Sequence, residues 1–70
     1  MINGYDVLKG INDAGVVLSG WNHEPGKLSF YIADGPTTHT ISVMTDHETM
    51  SGDVVEAVVK SWQAWEGANV

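Results

Sequence analysis

The 70 residues include nine Asp and Glu but only three Lys and no Arg, so the formal net charge is −6. A surface that binds nucleic acid or an anionic membrane needs clustered cations to displace counterions, so this composition disfavours both classes of partner. The chain has no cysteine and no apolar run that would form a signal peptide or a membrane span, which predicts a single cytoplasmic domain over residues 1–70.

Residues 4–14 carry apolar side chains at helical spacing. The apolar face of this predicted helix consists of Val7, Leu8, Ile11 and Ala14. Asn3 precedes the helix as an N-cap, and Gly15 follows it as a residue that adopts positive φ without penalty. From residue 16 to residue 22 the period changes to two, which predicts a strand. Both alternating sets of that strand contain apolar residues, so the sequence leaves open which face is buried.

Two more strands are predicted at 27–33 and 37–45. A polar run at 22–26 ends in Pro25-Gly26, the pair that a type II turn favours, and Asp34-Gly35-Pro36 marks a second turn. The core-facing residues of the two strands are Leu28, Phe30, Ile32, Ile41 and Val43. The middle of the chain is therefore predicted to form a three-stranded antiparallel meander.

A second helix is predicted at 51–66, with Thr49 or Ser51 as its N-cap. Its apolar face consists of Val55, Val58, Val59, Trp62 and Trp65. The fold class that follows is α+β, with the element order α-β-β-β-α. Both helices are expected on one face of the sheet, because the other face carries Ser, Thr, Lys and Tyr side chains that can remain in water.

The same element order occurs in double-stranded-RNA-binding domains and in small toxin ribonucleases, and the likeness extends to element order alone. At the start of the last helix the RNA-binding domains carry a basic run, whereas residues 51–56 here are acidic. The toxin ribonucleases have a histidine near the first hairpin, where His23 lies, but their Gly-Ser-His run and basic surface are missing. The sequence therefore identifies no family.

One polar cluster has the residue types of a metal site. The candidates are His39, Asp46, His47 and Glu48. Imidazole and carboxylate groups converging near the third strand would suit zinc, but neighbours in sequence seldom point the same way, so we favour an exposed polar loop. His23 beside Glu24 has the chemistry of a general base, but no nucleophile or oxyanion-binding motif accompanies it. We therefore expect neither an enzyme nor a bound cofactor.

Three tryptophans are many for a chain of this length. They are Trp21, Trp62 and Trp65. A small domain without disulfides needs large side chains in its core, so burial is the first expectation for all three. Trp65, near the end of the last helix, is the candidate for an exposed binding hot spot. Tyr31 and Met44, on the water-facing side of the sheet, are the other candidates.

Carboxylates concentrate in the second half of the chain, where residues 36–70 hold five acids against one lysine. We call residues 46–56 the acidic segment. Its carboxylates are Asp46, Glu48, Asp53 and Glu56. Net charge serves solubility in many small proteins, which is the plain interpretation. The sharper hypothesis is that the segment imitates phosphates and docks a basic, nucleic-acid-handling surface of a larger protein. Such a chain resembles in style the inhibitors that bacteriophages deploy against host nucleases and CRISPR or restriction complexes.

Two alternatives belong to other functional classes. The strand at 37–45 has no charged side chain to protect a sheet edge, which would suit a self-associating assembly protein that forms a two-fold dimer. A toxin-like ribonuclease with His23 as its base is the third hypothesis, and the net negative charge argues against it because the protein would repel RNA.

Overall fold

A computed structural model describes residues 2–68, so residues 1, 69 and 70 of the predicted domain range lie outside the described part. The elements are α1 (Gly4–Asp13), β1 (Leu18–Glu24), β2 (Lys27–Asp34), β3 (Thr37–Met44) and α2 (Ser51–Ala68). The three strands form one antiparallel sheet in the order β1-β2-β3. The predicted α+β class and the α-β-β-β-α order are confirmed.

Helix α1 begins and ends as its flanking residues predict. The Asn3 side-chain oxygen accepts hydrogen bonds from the backbone N–H groups of Tyr5 and Asp6 at 2.9 and 3.3 Å. Gly15 follows the helix with φ +85°, a conformation that residues with a Cβ seldom adopt. Asn3 and Gly15 therefore mark the two ends of α1.

Strand β1 lies two residues later in the chain than predicted. It runs from Leu18 to Glu24, and the polar residues expected in the turn pair with β2 instead, with Glu24 opposite Lys27. Only Pro25 and Gly26 connect the strands, and Gly26 has φ +77°. A ladder of backbone hydrogen bonds does not require apolar side chains, so polar residues at the end of an edge strand are compatible with pairing.

A bulge in β1 explains why the sequence left its buried face open. Leu18 pairs with Ile32 whereas Gly20 pairs with Tyr31, so Ser19 is an extra residue, and its hydroxyl donates to the Tyr31 carbonyl at 3.2 Å. An extra residue shifts the alternation of side chains by one. Leu18 before the bulge and Trp21 after it therefore face the same side of the sheet, although they belong to different alternating sets.

Both helices pack on the face of the sheet that carries the alternating apolar residues of β2 and β3. The buried core consists of Val7, Ile11, Val16, Leu28, Phe30, Ile32, Ile41, Val54 and Val58. In helix α2, Val58 is buried as predicted and Val54 is buried with it, whereas the predicted Val55 and Val59 are half-buried. Its inward face is therefore turned by about one residue from the predicted one.

The two helices approach each other closely along α1. The Asn3 backbone N–H donates to the Ser51 hydroxyl at 2.7 Å, so α1 and α2 begin at the same end of the domain. Further along, a Cβ added to Gly10 would lie 2.8 Å from Val55 Cγ2. Gly10 weakens α1 by about 1 kcal/mol in helix propensity, but a larger residue there would collide with Val55.

Candidate functional site

The loop before α2 holds the first carboxylate of the acidic segment in a fixed position. Asp46 accepts hydrogen bonds at one carboxylate oxygen from the Glu48 backbone N–H at 2.8 Å and from the Thr49 hydroxyl at 3.1 Å. The Glu48 hydrogen bond, followed by that of Thr49, lowers the pKa of the Asp46 carboxyl below its usual range. These hydrogen bonds fix the orientation of the Asp46 carboxylate. The residue is also exposed, so its charge is accessible to a partner.

The second carboxylate is fixed by the start of α2. Met50 occupies the N-cap position, because its carbonyl accepts the first helical hydrogen bonds, from the N–H groups of Asp53 and Val54. Asp53 in turn accepts from the Met50 backbone N–H at 3.1 Å, which is half of a capping box. The predicted capping by Thr49 or Ser51 is therefore wrong. The Thr49 hydroxyl bonds to Asp46, and the Ser51 hydroxyl accepts from the backbone N–H of Asn3, the N-cap of α1.

The remaining two carboxylates of the acidic segment are exposed but differ in their partners. Glu56 forms an ion pair with Lys60 at 2.7 Å, one turn further along α2, and this contact raises the pKa of Lys60. Glu48 lies 3.9 Å from the His47 imidazole, and both side chains are more than four-fifths exposed. Within the described part of the chain, three of the four carboxylates form no ion pair with a lysine, whereas the charge of Glu56 is partly neutralised by Lys60.

Trp65 lies away from the acidic segment, in an aromatic cluster. Its ring stacks on Trp62 with centroids 4.9 Å apart, and the His39 ring lies 4.7 Å from that of Trp65. His39 is near the start of β3, beside the β2–β3 turn, whereas Asp46 follows the far end of that strand. The helix-facing side of β3 and the second half of α2 thus bring together an imidazole and two indoles that the sequence had assigned to different roles.

This geometry separates the proposed metal ligands. His39 belongs to the aromatic cluster, while Asp46, His47 and Glu48 lie in the loop beyond the opposite end of β3. Within residues 2–68, no three His, Asp or Glu side chains approach closely enough to hold a metal ion. Asp46, His47 and Glu48 are exposed in the loop, whereas His39 is half-buried in β3.

No family model, curated protein or solved structure matches the chain. Among the described residues, no helix combines the length and the apolar character needed to cross a membrane. Any functional interpretation therefore depends on the geometry of the chain itself.

Tyr31 lies on the sheet face opposite the helices. It alternates with the core residues Phe30 and Ile32 along β2, and it is half-buried. The same face carries the pair Ser29 and Ser42, whose hydroxyls are 3.3 Å apart. The six predicted partner-binding residues therefore occupy three locations: the acidic segment, the aromatic cluster of Trp65 and the open sheet face of Tyr31.

An apolar cleft of about 200 Å³ lies between the start of α1 and the sheet, and sequence reasoning missed it. Trp21 and His23 form its β1 wall, Ile2 and Gly4 border it at the start of α1, and Phe30 contributes to its floor. Trp21 is 55% exposed, which makes it the most open of the three tryptophans. The signal that could have revealed this wall is the change of apolar alternation between Leu18 and Trp21, which indicates a bulge.

Proposed function

We propose that this protein is a non-enzymatic binding module whose acidic segment docks a basic, nucleic-acid-handling surface of a larger protein. The observation that carries the proposal is that Asp46 and Asp53 are exposed yet held by hydrogen bonds to the loop and helix backbone. Charges that are already ordered lose little side-chain freedom on binding, so they contribute more to affinity than mobile ones.

A small acidic chain that occupies a nucleic-acid groove would act as an inhibitor and a nucleic-acid mimic, in the manner of phage proteins directed against CRISPR or other defence complexes. The chain has no cysteine, which suits the reducing cytoplasm where such targets reside. Because the net charge is −6, the partner is a protein rather than nucleic acid.

The test compares two variants with the same change in net charge. The acidic variant carries Asp46→Asn, Glu48→Gln and Asp53→Asn, and it keeps Glu56 because neutralising that residue would also release Lys60. The control variant carries three equivalent changes outside the segment, Asp6→Asn, Asp34→Asn and Glu66→Gln, and it keeps Asp13 because that residue is ion-paired with Lys9. Asn can accept the same backbone hydrogen bonds as Asp, so both variants are expected to fold.

Each protein is immobilised and used to capture partners from a bacterial lysate at low and at high salt. We expect the parent and the control variant to retain basic, nucleic-acid-handling proteins at low salt, and the acidic variant to lose them. High salt should release them from the parent and from the control variant, because exposed charges act over a screened range of about 10 Å at 0.1 M salt. Equal loss of these proteins from the acidic and control variants would show that total charge, not the segment, is responsible for binding.

A second function, self-association, is favoured by the outer edge of β3. Thr37–Met44 is an eight-residue edge strand without a charged side chain. Met44, on the sheet face opposite the helices, is 76% exposed. Unprotected edges pair with other chains, and antiparallel pairing of two β3 strands would give a two-fold dimer. Light scattering at high concentration tests this, since a single 7.5 kDa species would contradict it.

A ribonuclease activity of His23 is the least supported alternative. The imidazole borders the apolar cleft beside Trp21, and its neighbours there are apolar rather than nucleophilic or cationic. We propose that the protein has no catalytic role. Loss of RNA cleavage in a His23→Ala variant, relative to the parent, would contradict this.

A further inference from the structure

The cleft beside β1 exists because two packing features leave part of the sheet uncovered. The bulge at Ser19 turns Trp21 and His23 towards the helices, where Trp21 lies opposite Phe30 in the sheet. Phe30 is 2% exposed, whereas Trp21 is 55% exposed. Helix α1 packs against α2 through the Gly10 contact, and its first turn does not cover the β1 side of the face. An apolar wall thus stands open at the edge of the core.

The cleft lies at the same end of the domain as the acidic segment. Ile2 and Gly4 border the cleft, and Asn3 between them donates its backbone N–H to Ser51 at 2.7 Å. Asp53 is two residues further along α2 from Ser51. On the other side, the Thr45 backbone N–H donates to the carbonyl of Gly26 at 2.9 Å, which brings the loop of Asp46 beside the β1–β2 turn.

The size of the cleft limits what it can hold. An engineered cavity of about 150 Å³ binds one benzene ring, whereas pockets for drug-sized ligands are about 300–1,000 Å³. A volume of about 200 Å³ therefore corresponds to a single aromatic ring. The indole of Trp21 offers such a ring an offset-stacked or edge-to-face contact. The carboxylates nearby favour cationic residues next to that ring.

We infer that the cleft binds one aromatic side chain of the protein partner, presented with lysine or arginine on either side of it. This inference rests on the proposed function, because it takes the occupant from the same basic surface that docks the acidic segment. The two parts of the site then differ in their roles. The carboxylates accelerate and orient the encounter, while the buried ring is the anchor that slows dissociation.

The test uses three short peptides as probes. The reference peptide is acetyl-Lys-Thr-Phe-Thr-Lys-amide, the second replaces Phe with Ala, and the third replaces both Lys with Gln. Binding to the full chain is followed by NMR shifts of the Gly4, Trp21 and His23 amides. We expect the Phe→Ala peptide to bind about tenfold or more weakly, since burying such a ring accounts for a difference of that order. The Lys→Gln peptide should bind more weakly at low salt only.

A matched pair of variants separates the cleft from the rest of the surface. A Cβ at Gly4 or at Gly67 meets no atom within 4 Å, and each residue lies in a terminal turn of a helix, but only Gly4 borders the cleft. Gly4→Leu is expected to fold, to fill the cleft and to abolish the difference between the Phe and Ala peptides. Gly67→Leu, which lies outside both the cleft and the acidic segment, should preserve that difference.

Each part of the docking model can fail separately. Equal binding of the Phe and Ala peptides, or an unchanged difference between them in Gly4→Leu, would overturn the cleft. Equal binding of the Lys and Gln peptides at low salt would overturn the role of the carboxylates while leaving the cleft intact. Failure of the reference peptide to shift these amides at millimolar concentration would also overturn the cleft.

Discussion

Replacing Gly10 with Ala should destabilise this protein, although the same change stabilises most helices. In the middle of a helix, Ala is favoured over Gly by about 1 kcal/mol. The added Cβ would, however, lie 2.8 Å from Val55 Cγ2 and 3.1 Å from Val55 Cγ1. Contacts that short force the Val55 side chain or one of the helices to shift, and overpacking of this kind costs about 1–3 kcal/mol. The expected net change in the free energy of unfolding is therefore a loss of about 0–2 kcal/mol.

The expected effect reverses when the opposing methyl groups are removed. In a Val55→Ala background both Cγ atoms are absent, and the nearest remaining atom of residue 55 is Cβ, at 3.5 Å, which is an ordinary contact. Gly10→Ala should then stabilise by about 1 kcal/mol, the full difference in helix propensity. The two substitutions should thus couple by about 1–3 kcal/mol, a large value for a pair of small side chains.

Urea titrations of the parent, both single variants and the double variant measure this coupling, provided that all four have the same m-value. Gly52→Ala is the control, because a Cβ there meets nothing within 4 Å and should have the same effect in both Val55 backgrounds. If Gly10→Ala stabilises the parent as much as it stabilises the Val55→Ala protein, the close approach of α1 and α2 is wrong.

Two other predictions concern acid stability and the core. The pKa of Asp46 is lowered in the folded state by the Glu48 N–H and the Thr49 hydroxyl, so its stabilising effect is complete above the unfolded-state pKa, about 4, and is lost as the pH falls through the folded-state value. Acid unfolding followed by circular dichroism should therefore show less loss of stability below pH ~4 for Asp46→Asn than for the parent, and equal losses would contradict the hydrogen-bonded loop. In urea titrations, Phe30→Ala should cost about 3–5 kcal/mol because the ring is buried, while Trp21→Ala should cost much less despite the larger ring. A larger loss at Trp21 would mean that the cleft is closed in solution.

Local sequence signals predicted most elements because each depends on a few neighbouring residues. The alternation of β2 from Lys27 placed its core face correctly, and Asn3 and Gly15 marked both ends of α1. The start of α2 was harder to predict, because Thr49 and Ser51 can both cap a helix and the hydroxyls of both bond elsewhere, to Asp46 and to Asn3. The bond between Ser51 and Asn3 depends on the position of α1, and no local pattern contains that information.

The functional surface was only partly predictable for the same reason. Four exposed carboxylates are visible in the sequence, but the assignment of Trp65 to a cluster with His39 depends on α2 running along β3. The cleft depends on three distant features: the bulge in β1, the first turn of α1 and the helix crossing at Gly10. Contacts between residues that are far apart in sequence are set by packing of the whole domain rather than by periodicity.

The bulge at Ser19 also makes β1 unusually sensitive to changes in chain length. Deleting this one residue would leave the β1–β2 turn and every later pairing intact, yet it would restore a regular ladder between the residues that now flank it. In a regular strand, side chains alternate between the two faces of the sheet without interruption, so the residues on one side of the deletion would have to exchange faces. Either Val16 and Leu18 would leave the core, or Trp21 and His23 would turn to the opposite surface and the cleft would lose a wall. A loop elsewhere in the chain could gain or lose a residue with only local effects. At Ser19, by contrast, the loss of one residue from the strand would change the shape of the surface that forms the cleft.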